Sequence, residues 1–71
     1  MNPTKLAHLI RIHRKAAGLT QAELAKLAGV GKTVVFDLEH GKQSVRLDTL
    51  IAVLKPLNIK LSLEGPLGGS R

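Results

Sequence analysis

Cysteine, tyrosine and tryptophan are absent from the 71-residue sequence, and Phe36 is its single phenyl ring. Without cysteine there is no disulfide framework and no thiolate metal site. With one aromatic residue, a core must be assembled from Leu, Ile, Val and Ala, so stability is expected from helix packing, with a second subunit as a further source. No apolar run approaches the roughly 20 residues of a membrane span. The N-terminal "MNPTKLAHLI" lacks the layout of a secretory signal, so a soluble, cytoplasmic protein with no membrane partner is expected. Acidic residues are scarce too: five Asp and Glu against eleven Lys and Arg leave a formal charge of +6 and a pI near 10.4. On one small domain this excess favours a polyanionic partner, most simply nucleic acid, because displaced counterions supply sequence-independent affinity. A basic surface that serves only solubility is the alternative.

The chemistry-bearing residues do not assemble into a catalytic or metal pattern. His8 and His13 are five apart, which does not place them on one helical face as a spacing of three or four would. No Ser, His and Asp arrangement or pair of carboxylates stands on a recognisable cleft scaffold, and so small a domain has little room for a catalytic pocket. No enzyme activity, cofactor or metal is expected. The stretch "GVGKTVVFDLEHGK" opens like the end of a phosphate-binding loop, but that motif needs a Gly separated from "GKT" by four residues, where this chain has Lys26. The residues before it also carry a helical pattern, not that of a strand.

Local signals predict four helices. Asn2 and Pro3 can cap and open the first, which runs to about Ala17 with Leu6, Leu9, Ile10, His13 and Ala17 on its apolar stripe and Gly18 at its end. "LTQAEL" is a capping box: Thr20 caps, Glu23 reaches back three residues, and Leu19 staples to Leu24. The helix it starts spans about Gln21 to Ala28 and stops at Gly29. After the turn "GVG", a third helix runs from Lys32 to about His40 and ends at Gly41. Leu47, Leu50, Ile51, Leu54 and Leu57 then recur at helical spacing, with Pro56 expected to kink or stop that helix between about Lys55 and Leu57. "NIKLSLEG" switches to a period of two, Ile59, Leu61 and Leu63 alternating with Lys60, Ser62 and Glu64, and reads as a strand. A lone apolar strand has no partner in its own chain, and pairing with the same strand of a second copy is the simplest solution. Residues 1–64 are thus expected to form one DNA-binding and dimerisation domain, and "GPLGGSR", residues 65–71, a flexible tail.

Two short helices across a tight turn, with "LTQAELAKLAGV" leading into "DLEHGK", resemble the lambda-repressor-like, or XRE-type, helix-turn-helix family. The likeness covers about Leu6 to Leu57, and with the added strand the chain is similar to the HipB-type antitoxins in particular. The resemblance implies a mostly α, compact four-helix (or five-helix) domain whose C-terminal strand pairs across a homodimer through Ile59, Leu61 and Leu63. It also implies a recognition helix, the third, lying in the major groove while the second crosses the backbone. Lys32, Thr33, Phe36 and Asp37 match the groove-facing positions. Lys32 could donate to guanine or hold a phosphate, Thr33 could touch a thymine methyl, and Asp37 could accept from cytosine N4. Gln21 matches the family's phosphate-contacting glutamine, and Lys42 is a further candidate DNA contact or a solvated charge. Phe36 faces outward, toward the groove or packed against the turn. Arg14 and Glu39 match an ion pair buried between the first and third helices. One departure is Gly31, which stands where the family caps its third helix with Ser or Thr and has no side-chain oxygen to offer. The implied function is a dimeric repressor of palindromic operator DNA that also holds a HipA-like, kinase-like toxin, in the cytoplasm at the nucleoid. The alternative is a stand-alone XRE-type regulator without a toxin.

Overall fold

A computed structural model describes residues 3–61, with the side chain of Pro3 excluded. Four α-helices follow in order: α1 Pro3–Ala16, α2 Gln21–Ala28, α3 Lys32–Glu39 and α4 Leu47–Leu54. The last continues directly into a 3-10 turn over Lys55–Leu57. The expected boundaries hold to within a residue or two. Asn2, read as the cap of α1, lies outside the described residues, and α1 ends at Ala16, leaving Ala17 in the turn.

Each helix begins and ends on local chemistry. Both capping-box bonds at α2 are formed: the Glu23 amide donates to Thr20 Oγ1 at 3.0 Å, and the Thr20 amide donates to Glu23 Oε1 at 2.8 Å. All four helical segments terminate in the same paired backbone bonds. Gly18 donates to Lys15 O and Leu19 to Arg14 O; Gly29 to Lys26 O and Val30 to Ala25 O. Gly41 donates to Leu38 O and Lys42 to Asp37 O; Asn58 to Lys55 O and Ile59 to Leu54 O. This is the Schellman closure, which needs a left-handed residue and places an apolar residue just beyond it against the core. Leu19, Val30 and Ile59 pack there as expected. Asn58 takes the left-handed position after Pro56 with φ of 57°, a role its short amide side chain tolerates better than most residues do.

Gly29 matters most for the orientation of α3, because its φ of 72° turns the chain out of α2 toward that helix. A Cβ there would meet nothing within 4 Å, so its cost is backbone strain without a clash. Gly29→Ala is therefore expected to lower stability by about 1–2 kcal/mol, read as a reduced urea midpoint with an unchanged m-value.

The core consists of Ile10, Leu24, Ala25, Val35, Leu38, Leu50, Val53, Leu54 and Leu57, drawn from all four helices and the 3-10 turn. Two expected stripes are corrected. On α1 the buried face is Ala7, Ile10 and Arg14 with Leu6 beside it, while Leu9 is exposed and His13 is only half-buried. The face is rotated so that Ile10 lies at its centre and the paired Arg14 occupies a core-facing position. On α4, Leu50 and Leu54 are buried, but Leu47 and Ile51 are exposed and Val53 takes the inner position. "LDTLIAVL" is apolar on more than one face, so spacing alone does not select the inner one.

The expected strand runs out of the described residues. Ile59, Lys60 and Leu61 carry no regular secondary structure, with Ile59 and Leu61 half-buried against the core. Residues 62–64, Leu63 among them, and the tail 65–71 lie outside. Among the described residues, no helix is long and apolar enough to cross a membrane.

Candidate nucleic-acid interface

Helix α3 buries Val35 and Leu38 against α1 and α2. Its opposite face carries Thr33, Phe36, Asp37 and His40 at spacings of three and four, the rhythm of one helical stripe, with Lys32 at its start. Lys32, Thr33, Phe36 and His40 are exposed and Asp37 is half-buried.

What aims this face outward is an ion pair beneath it. Arg14 donates through Nε to Glu39 Oε2 at 2.6 Å and through Nη2 to Glu39 Oε1 at 3.0 Å. Its third bond, from Nη1 to Leu19 O at 2.8 Å, ties the turn after α1 into the same knot. The two side chains are only 11% and 2% exposed, so water cannot substitute for either partner. Gln21, expected at a phosphate, is half-buried and its Nε2 donates to Glu39 Oε1 at 3.3 Å. The first residue of α2 is thereby fixed to the last residue of α3, and the two helices of the motif are clamped at one end. Among the described residues, no buried side-chain polar atom lacks a partner.

The knot has an electrostatic signature. Burial pushes the Glu39 carboxyl up, but hydrogen bonds from Arg14 and Gln21 and the charges of Arg14 and Arg11 outweigh it and hold its pKa below the ordinary carboxylate value. The hydrogen bond to Glu39 raises the Arg14 pKa against the opposing effect of burial, and the Glu39 charge adds to the rise. Because the folded Glu39 pKa lies below the unfolded one, its contribution is fully present above the unfolded value, about 4.3. That contribution is lost as pH falls through the folded value. Urea midpoints measured from pH 7 down to 3 should therefore start to drop near pH 4.5, and Glu39→Gln should show a shallower drop over that window.

All four described carboxylates are occupied internally: Glu23 in its capping box, Glu39 on Arg14, Asp37 on Lys42 at 3.3 Å and Asp48 on Arg46 at 3.2 Å. Lys42 thus neutralises the acidic charge on the outer face of α3, and Lys32 at the head of that face makes no ion pair among the described residues. Gly31 provides no side-chain cap.

The position of Phe36, left open by the sequence, is resolved. The ring faces out, 48% exposed, and stacks on the His40 imidazole with centroids 4.0 Å apart and planes 26° apart. His40 Nδ1 donates to Phe36 O at 2.7 Å, since a carbonyl only accepts. His40 was not among the expected site residues, although its spacing of four from Phe36 was the available signal.

Two short helices locked at a tight turn, the second presenting an exposed, carboxylate-neutralised face with a lysine at its start, define a helix-turn-helix DNA-binding regulator. The chain belongs to the HTH_3, or XRE-type, helix-turn-helix family, whose model matches residues 10–63. It is similar to an HTH-type transcriptional regulator of Sinorhizobium fredii, 38% identical over 90% of this chain and 84% of the relative. It is also similar to Antitoxin HipB of Escherichia coli K12, 31% identical over 87% of this chain and 70% of the relative. A chain of the solved HipA-HipB-O2-O3 complex superposes with a TM-score of 0.80 at 29% identity, over 93% of both chains.

Proposed function

We propose that this regulator is the antitoxin of a HipBA-type toxin–antitoxin operon. In this reading a homodimer places its two α3 helices in successive major grooves of a palindromic operator, about 34 Å apart, and also holds a kinase-like toxin. The observation that carries it is the outward stripe of α3, fixed by the Arg14–Glu39 pair, on a backbone that superposes on a chain of the HipA-HipB-O2-O3 complex. Lys32 and Thr33 reach base edges or phosphates, Phe36 faces the groove, Asp37 and Lys42 act as a paired unit beside it, and Gln21 meets the backbone with the amide oxygen that its bond to Glu39 leaves open. Residues 1–64 form the DNA-binding and dimerisation unit, with Ile59, Leu61 and Leu63 at the two-fold contact, and residues 65–71 the tail. The exposed Leu47 and Ile51 lie in one surface groove with Ile59 and Leu61, which supports that side of the molecule as the dimer contact. Exposed Ile12, on the outer side of α1, is available to a toxin. The cytoplasm, at the nucleoid, is its place of action.

A stand-alone regulator is the second reading, supported by the higher identity to the Sinorhizobium fredii regulator. The two separate in an affinity pull-down of the tagged chain from its source cells in high salt, which strips nucleic-acid bridges, followed by mass spectrometry. A stoichiometric kinase-like partner is the expected result; recovery of the protein alone would leave a self-contained repressor.

A further inference from the structure

We infer that the Phe36–His40 stack is a thymine reader, in which Phe36 contacts the C5-methyl group in the major groove and His40 is the positioning residue that holds its ring. The inference rests on α3 entering the major groove.

A phenyl ring has no donor or acceptor, so it can discriminate bases only by apolar contact. Of the groups the four bases display in the major groove, the thymine methyl is the apolar one. Phe36 is also placed for contact rather than for the core, since Val35 and Leu38 fill the inner face of α3 and the ring is half-exposed between Thr33 and His40. Leaving the only phenyl ring of a small protein on its surface gives up apolar burial, a feature that fits a contact made in the complex. The His40 stack and the Nδ1 bond to Phe36 O tie the imidazole to the same turn of helix. The phenyl ring is thus restrained before DNA arrives, and less side-chain freedom is lost on binding. Asp37, beside the ring, is bonded to Lys42, so the stack is not flanked by an unpaired carboxylate.

The probe is a duplex selected by the wild-type protein from a library of palindromes with randomised half-sites. Selection should return a fixed thymine in each half-site. Replacing it with deoxyuridine removes the methyl and leaves the base-pairing and groove hydrogen bonds intact. The loss should be about fourfold per half-site and roughly sixteenfold for both. Phe36→Ala should bind thymine and uracil duplexes equally. His40→Ala should reduce the preference for thymine without changing the salt slope, and His40→Phe, which restores a ring, should recover it. A selected site without a fixed thymine, or an undiminished thymine preference in Phe36→Ala, overturns the inference while leaving groove binding by α3 intact. Full preference in His40→Ala overturns the positioning role. Wild-type protein that selects no sequence from the library overturns the groove-binding reading itself.

Discussion

Glu39→Ala is expected to remove about 3–5 kcal/mol of stability, a large share of the total, and to lower the urea midpoint accordingly. The substitution strands the Arg14 guanidinium in a site where its side chain is 11% exposed, with only the Leu19 carbonyl left to receive it. Breaking one side of a buried ion pair costs about 3–5 kcal/mol, whereas a chain of this length has roughly 4–11 kcal/mol of total stability. The reverse substitution, Arg14→Ala, leaves the carboxylate behind and should be similarly severe. An apolar double replacement, Arg14→Met with Glu39→Leu, should recover most of the loss, because removing both charges also removes the cost of taking them out of water. Far-UV circular dichroism across a urea titration reads all four proteins. Equal destabilisation of the single and double variants would show that the pair itself, and not the stranded charge, holds α1 to α3.

The second large effect is on DNA affinity. If Lys32 and Lys42 each neutralise one phosphate per protomer, a dimer releases up to four counterions, and log affinity falls with log salt at a slope of about −2 to −4. The lower magnitude applies because Lys42 shares its ammonium with Asp37. Affinity should then weaken roughly 15- to 250-fold between 50 and 200 mM salt. Lys32→Ala should weaken binding to every duplex and flatten the slope by about 2 per dimer. Asp37→Asn should act in the opposite direction, since it frees the Lys42 charge. Fluorescence anisotropy with a labelled duplex measures both, and a salt-independent affinity would remove the basic face of α3 from the account.

The parts of the fold that were legible in the sequence were those written in local chemistry. Thr20 and Glu23 announce α2, and Gly18, Gly29 and Gly41 mark three helix ends, because caps and left-handed turns are decided by residues next to one another. The fourth end was expected from Pro56, and the left-handed Asn58 that closes it was not singled out. The stripes of α1 and α4 were less legible. The family resemblance placed Arg14 in a buried pair with a partner 25 positions later, as found, but apolar spacing alone did not rotate the α1 stripe toward it, and Leu47 and Ile51 have the same apolar character as the residues that are buried. Hydrophobic spacing says that a helix has an apolar face but not what covers it. In the site, Lys32 and Thr33 occupy the exposed start of α3 as their positions implied. Gln21 has a second attachment, to Glu39, that its place in a first turn does not reveal. Phe36 could be oriented only once the stack on His40 was known.

In the proposed complex the outer face of α3 meets DNA. An NMR titration of the labelled protein with a short duplex at low salt, followed through backbone amide shifts, tests it most directly. The largest shifts are expected at Gln21 and from Lys32 to Asp37, with the His40 ring resonances moving too, and little change along α4. Shifts confined to Leu47, Ile51 and Ile59–Leu61, with α3 unmoved, would contradict it.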